Sequence, residues 1–272
     1  MTAAPQDTGT PVRIVVLGAG GRMGQEILDL ARRDPDFVVH AAIEVANHPM
    51  LGSPASPDLP GVIVTADLPG ALKGADVMID FTRPEATEIA VTAAAEAGVA
   101  AVVGTTGMAG DQRYAIRASS AAIPIVFSPN MSVGINVMMW LLRIAADALG
   151  EDFDMEVLEA HHRNKVDAPS GTALRLLEVL AEARGLQLDE VLRGERRGHT
   201  GKRPAQEIGV QVIRGGDVAG DHTVYFLGDG ERLEITHRAS SRQVFAVGAL
   251  RAARWVKGRP AGLYGMAEVL GL

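Results

Sequence analysis

The sequence predicts an α/β chain in two parts: a doubly wound parallel sheet, then an α+β unit with a mainly antiparallel sheet. Three observations carry that reading. Val12–Leu17 is an unbroken apolar run, as a strand buried on both faces requires, and it stops at the glycine turn Gly18-Ala-Gly-Gly-Arg-Met-Gly24. Strand-like and helix-like patterns then alternate as far as Phe127. Beyond Phe153 the strands cluster instead, separated by turns rich in Gly and Asp.

After the glycine turn, Met23, Ile27, Leu28, Leu30 and Ala31 recur at helical spacing. A second strand, Phe37–Ile43, ends at Glu44, about 20 residues past Gly24, where dinucleotide-binding folds place an acid against a ribose. Glycines let a pyrophosphate approach the backbone, and the helix start offers its dipole and free amides. The glycines here fall at 18, 21 and 24, so the usual register puts Met23 at its third glycine. A glycine turn without a ligand is the competing reading.

Residues 48–61 are a Pro/Gly/Ser-rich insertion. Strands over 62–64, 76–81, 99–103 and 123–127 follow, with helices over 67–73, 84–97 and 111–121 between them, which completes a Rossmann-like pattern. Phe81-Thr-Arg-Pro84 and Gly104-Thr-Thr-Gly107 end two of these strands. Ligands of open α/β sheets bind outside the carboxyl ends of strands, so both turns are expected at the crevice of the glycine turn.

Ser128-Pro-Asn-Met131 marks the crossing into the second part. The dinucleotide-binding domain is therefore placed at 1–131, with 1–11 as a frayed tail. The second domain, 132–241, opens with a helix over 133–149 and a strand over 153–159. A helix from Gly171, a charged loop over 193–203 and strands over 208–214, 223–227 and 232–237 follow, with hairpin-type turns at 215–220 and 228–230. Gln243 to Lys257 is helical again, and the C-terminal segment 242–272 is expected to return to the first domain. Trp140 and Trp255 sit in helical patterns and read as packing residues.

Composition excludes several function classes. A net charge of −7 argues against nucleic-acid or anionic-membrane partners, and the arginines of 193–203 read as a solvated loop. No window holds the roughly 18 uninterrupted apolar residues of a membrane span, and the polar start lacks the pattern of a signal peptide. With 0 cysteines there is no disulfide, thiolate ligand or cysteine nucleophile, which fits a cytoplasmic protein.

Chemistry concentrates in residues 159–172, EAHHRNKVDAPSGT. A histidine exchanges protons near neutral pH and a lysine binds anions or donates a proton, so His161 and Lys165 form the first candidate pair. Ser170 is a helix N-cap, and the amides at Gly171 and Thr172 would seat a carboxylate. Against this, one histidine of such a pair can simply bond a neighbouring carbonyl, and Lys165 can be a solvated loop charge. No metal site is expected, because His161 and His162 point to opposite faces of a strand and no companion ligand pattern exists.

Together, the glycine turn, Asp80-Phe-Thr-Arg-Pro84, Gly104-Thr-Thr-Gly107, Glu159-Ala-His-His-Arg163, Lys165-Val-Asp-Ala-Pro-Ser-Gly-Thr172 and Gly198-His-Thr-Gly201 resemble the 4-hydroxy-tetrahydrodipicolinate reductase (dihydrodipicolinate reductase) family. The resemblance runs in order from about Val12 to the C-terminus. It implies NADH- or NADPH-dependent reduction of a cyclic unsaturated dicarboxylate, with loss of water, in lysine and diaminopimelate biosynthesis. It also implies that His161 is a proton donor or acceptor, that Lys165 is a proton donor, and that His162, Gly171 and Thr172 hold substrate carboxylate. Gly18, Ala19, Gly20, Gly21, Arg22, Met23, Glu44, Gly104, Thr105, Thr106, Ser128, Pro129, Asn130 and Met131 would carry the dinucleotide, and the assembly would be a homotetramer built on the second domain's sheet.

Two departures matter. Val45 follows Glu44 where many members have a basic residue, which predicts a preference for NADH over NADPH, and Ser128-Pro129 differs in the segment facing the nicotinamide. The rival from another class is a redox-sensing protein that binds the nucleotide without turnover.

Overall fold

The structure is a computed structural model describing residues 9–272, so most of the expected tail, residues 1–8, lies outside the described residues. The chain forms two units, one ending at Val133 and completed by Arg242–Leu272, the other Gly134–Ser241. Each has its own core.

In the first unit, β1 (Val12–Leu17), β2 (Phe37–Ile43), β3 (Val64–Thr65), β4 (Val77–Asp80), β5 (Ala100–Val103) and β6 (Pro124–Phe127) pair in parallel with β12 (Gly262–Tyr264), in the order β12-β6-β5-β4-β1-β2-β3. The order reverses at β1, which has β2 on one side and β4 on the other, and that reversal opens the crevice where such sheets bind ligands. Every residue of β4 and β5 is buried, because helices cover both faces. Ile27 and Leu28 of α1 (Arg22–Ala31), with Ala246, Ala249 and Ala253 of α8 (Gln243–Val256), pack one face. Leu72 of α2 (Leu68–Leu72), Val91 of α3 (Pro84–Ala97) and Ile116 of α4 (Gly110–Ser119) pack the other.

The second unit orders β11 (Arg232–Ala239), β10 (Gly220–Leu227), β7 (Asp154–His161), β9 (Ile208–Arg214) and β8 (Leu192–Arg193) in one mixed sheet. The β7–β10 and β10–β11 ladders are antiparallel, and β7–β9 and β8–β9 are parallel. One face carries Leu142 of α5 (Val133–Leu149) and Leu176, Leu177 and Leu180 of α6 (Gly171–Ala183) over Val157, Val210 and Phe226. Strand β7 alternates partly buried and buried residues, the period-2 pattern of a sheet covered more fully on one side.

Several sequence expectations are corrected here. Residues 215–220 do not form a hairpin, because β9 runs parallel to β7 and β10 returns on β7's other side. That connection crosses the end of β7, where the Gly216 and Val218 carbonyls accept from the Arg163 and His162 amides. Arg196 and Arg203 of the charged loop are not simply solvated: both donate to Glu156 of β7, which fits because Gly209 beside it has no side chain. Trp140 is 40% exposed, on the α5 face that also carries Leu141 and Ile144, while Trp255 packs at the first core. The short α7 (Leu188–Val191), β8, β12 and α9 (Met266–Leu270) had no legible periodicity. By length and composition alone, Val133–Asp152 also reaches the level of a membrane span, although its buried stripe belongs to the second core.

Candidate active site

The site residues fall into two groups, one in each unit. In the first unit, the glycine turn is shaped by what a side chain would hit. Gly18 has φ 65°, a conformation strained for any residue with a Cβ. A Cβ on Gly24 would lie 2.2 Å from the Gly18 carbonyl oxygen, so the helix start can approach the strand end only because Gly24 has none. Gly21 caps α1 without a side-chain hydrogen bond, and the first-turn amides of Arg22 and Met23 have no acceptor among the described residues. Such a cradle fits a pyrophosphate.

Glu44 reaches back to this turn, where its Oε1 accepts from the Gly20 amide at 2.8 Å and its Oε2 from the Val45 amide at 3.2 Å. The neighbouring strand end is tied in the same way, since a Cβ on Gly18 would lie 3.0 Å from Thr82 Cγ2. Thr82 in turn donates to the buried Asp80 carboxylate from its amide and its hydroxyl. Burial raises the Asp80 pKa, only partly offset by these threonine hydrogen bonds. Gly104 makes room for the Phe81 ring, which a Cβ would meet at 2.2 Å, and Thr105 is buried as acceptor of the Thr87 hydroxyl. Thr106 is exposed. Ser128 and Asn130 hold their own turn through the Ser128 hydroxyl and Asn130 carbonyl at 2.8 Å, beside the exposed Pro129. Ala19 and Met131 are core side chains, so only their backbones are available to a ligand.

The second group is built on charge. Strand β7 ends at His161, which is 8% exposed and two residues past the fully buried Glu159. Alternation puts both side chains on one face, and His161 Nδ1 meets Glu159 Oε2 at 2.5 Å. Arg214 at the end of β9 donates to both Glu159 oxygens at 2.8 Å, and the Ser170 amide donates to Oε1 at 3.0 Å. Burial works to raise the Glu159 pKa, but the Arg214, His161 and Ser170 hydrogen bonds outweigh it and hold the carboxyl below its usual range. His161 is shifted down, chiefly by burial and also by the Lys165 and Arg214 charges, against the opposing pull of Glu159.

Ser170 caps α6, accepting from the Ala173 amide at 3.1 Å, and its hydroxyl lies 3.2 Å from His222 Nε2. The His222 ring stands edge-on to His161 at 5.1 Å, and burial, followed by the His161 charge, pushes its pKa to about 4. Lys165 lies in the same loop, paired with Asp167 at 2.9 Å, and Arg214 donates to the Asp167 carbonyl. A Cβ on Gly171 would enter open space, so no neighbour in the chain demands glycine there. The His162 amide donates to the Val218 carbonyl at 2.8 Å.

Sequence reasoning singled out His161, Lys165 and Ser170 but missed Glu159, Arg214 and His222. Glu159 was legible as the i−2 neighbour of His161 on a strand. Arg214 and His222 come from strands paired with β7, whose order no local pattern reveals. Among the described residues no group of His, Cys, Asp and Glu could hold a metal ion.

Known proteins match this chain over nearly its whole length. The family model for the dihydrodipicolinate reductase N-terminus matches residues 12–131, and that for its C-terminus matches residues 134–270. The 4-hydroxy-tetrahydrodipicolinate reductase of Anaeromyxobacter dehalogenans is 51% identical over 264 residues, 96% of this chain and 98% of that protein. That of Nitrosomonas europaea is 48% identical over 266 residues, 97% and 99% of the two chains. The fold matches the dipicolinate-bound dihydrodipicolinate reductase of Paenisporosarcina sp. TG-14 with a TM-score of 0.78 at 24% identity, covering 95% of this chain and 99% of that one. With both halves of the model matched in order and relatives at this identity, the chain belongs to the dihydrodipicolinate reductase family.

Proposed function

We propose that this chain is a 4-hydroxy-tetrahydrodipicolinate reductase of lysine and diaminopimelate biosynthesis, acting in the cytoplasm. The reaction adds one hydride and one proton to a cyclic unsaturated dicarboxylate and releases one water, giving tetrahydrodipicolinate. A reduced nicotinamide cofactor supplies the hydride. The observation that carries the reading is the second-unit cluster, in which a proton-exchanging histidine ends β7 and a lysine lies in the loop that leads from it to the start of α6.

Gly18, Gly20, Gly21, Arg22 and Met23 would hold the pyrophosphate, and Gly104, Thr105, Thr106, Ser128, Pro129, Asn130 and the Met131 backbone would line the rest of the cofactor. Glu44 would accept from the ribose hydroxyls. Because Glu44 sits on the Gly20 amide and is followed by Val45 rather than a cation, a 2′-phosphate would meet a carboxylate with little compensation. NADH is therefore the preferred cofactor.

In the second unit the Gly171 and Thr172 amides, the Ser170 cap and His162 seat a substrate carboxylate, and the helix dipole favours that negative charge. Lys165 donates a proton and His161 exchanges one. The sheet face turned away from α5 and α6, which exposes Ile213 of β9, is the surface on which a homotetramer would form. Coupling to dihydrodipicolinate synthase tests the reading, with NADH and NADPH side by side. Substrate-dependent loss of NADH absorbance, with a higher kcat/KM for NADH than for NADPH, is expected. No substrate-dependent loss with either cofactor would leave a nucleotide-binding sensor as the better account.

A further inference from the structure

We infer that Glu159, paired with Arg214, is the positioning residue that fixes His161 as its Nδ1–H tautomer and leaves Nε2 as the proton-exchanging atom. The inference rests on the reductase reading only for what His161 does in turnover; the tautomer itself follows from the hydrogen bonds.

Glu159 is fully buried, and a buried carboxylate persists only where donors surround it. It has four: both terminal nitrogens of Arg214 at 2.8 Å, the Ser170 amide at 3.0 Å and the His161 ring at 2.5 Å. Arg214 and a backbone amide can only donate. Both carboxylate oxygens are therefore acceptors, and the ring nitrogen facing Oε2 must carry a hydrogen. In neutral His161 that hydrogen is on Nδ1, and the lone pair is on Nε2. Nε2 points toward Gly220, where an added Cβ would lie 3.1 Å away, so the absence of a side chain keeps that atom accessible.

The same node sets the surrounding geometry. Through the Ser170 amide Glu159 anchors the start of α6, and through Arg214 it reaches the Asp167 carbonyl, beside the carboxylate that holds Lys165. One ion pair thus fixes the histidine, the helix start and the lysine loop. The charged and titratable groups facing His161 are Glu159 on its own strand, Arg214 on β9, His222 on β10 and Lys165 in the loop. Glu159 is the anion among them, and its hydrogen bond and charge raise the basicity of His161.

Glu159→Gln keeps the shape and removes the charge. The expected result is a fall of about 10² in kcat with NADH affinity unchanged and substrate KM within about threefold. The limb of the pH–rate profile that reports His161 should move to lower pH by about one unit, since the anion favouring the imidazolium is gone. A merely structural role would lower activity and melting temperature without moving that limb. Unchanged kcat together with an unmoved limb would overturn the inference.

Should Glu159→Gln fail to fold, the native protein still decides the matter. The side-chain ¹⁵N resonances of His161, assigned by their absence in His161→Asn, should show Nδ1 protonated and Nε2 unprotonated above the titration of the ring. The opposite tautomer would overturn the inference. That spectrum needs neither substrate nor turnover, so its failure is distinct from failure of the reductase assay.

Discussion

The two units make their sites from opposite materials. In the first, the cradle is backbone, and its specification is the absence of side chains: a Cβ at Gly24 would sit 2.2 Å from a carbonyl oxygen that cannot move away. In the second, the site is made of side-chain charge, with Arg214, Glu159, His161 and Ser170 in one hydrogen-bonded chain. The first kind of site should be broken by adding atoms and the second by removing charge. Binding and chemistry should separate along the same line.

The sharpest break is chemical. His161→Ala and Lys165→Ala are each expected to lower kcat by about 10² or more, the usual scale for general acid–base groups, while NADH titration gives the native affinity. Loss of NADH binding in either variant would show that the two sites are not specified independently. Near-native kcat in Lys165→Ala would remove that residue from the proton-transfer roles.

The glycines give the converse test. Gly24→Val forces branched carbons against backbone and is expected to cost about 3 kcal/mol, seen as about 10² in NADH affinity or as loss of the folded first unit. Gly171→Ala adds its methyl to open space and should leave the melting temperature unchanged. If the Gly171 amide seats a carboxylate, that methyl crowds the substrate, and KM for the dicarboxylate should rise about tenfold with little change in kcat. An unchanged KM would remove Gly171 from the substrate seat.

This difference also explains what the sequence made legible. A cradle of glycines between an apolar run and a helical period is contiguous, so Gly18, Gly24 and the acid at Glu44 could be read in order, and helices such as Pro84–Ala97 matched residue for residue. The charge cluster is half contiguous. Glu159, His161, Lys165 and Ser170 lie within one stretch, but Arg214 and His222 join it only because β9 and β10 flank β7. Glycine-rich residues 215–220 carry the local marks of a hairpin, and no local pattern distinguishes a tight turn from a crossover past an intervening strand. Arg196 and Arg203 of the 193–203 loop were misread for the same reason, since their partner Glu156 lies on a strand 40 or more residues earlier.

The smallest expected effect separates the units by pH. His222 falls from the usual 6.5 to about 4 in the folded state, so between those values the unfolded chain binds the extra proton. Stability from His222 is complete above pH 6.5 and is lost as pH falls toward 4, about 3 kcal/mol over the whole window and about 1 kcal/mol by pH 5.5. Asp80 in the first unit has the opposite sign. Its folded pKa is raised above 3.8, chiefly by burial, so its contribution is fully present below 3.8 and is lost as pH rises through the folded value. Acidification therefore weakens the second unit at His222 and relieves the first at Asp80. Hydrogen exchange of β10 and β4 amides at pH 7 and 5.5, corrected for intrinsic rates, should show opening free energy dropping by about 1 kcal/mol in β10 and holding or rising in β4. His222→Asn should flatten most of the β10 slope, leaving only the smaller parts from His161 and His237, which burial shifts in the same direction. Equal pH slopes in the two strands would mean that the units unfold as one body, and the division between a backbone site and a charge site would then be one of geometry alone.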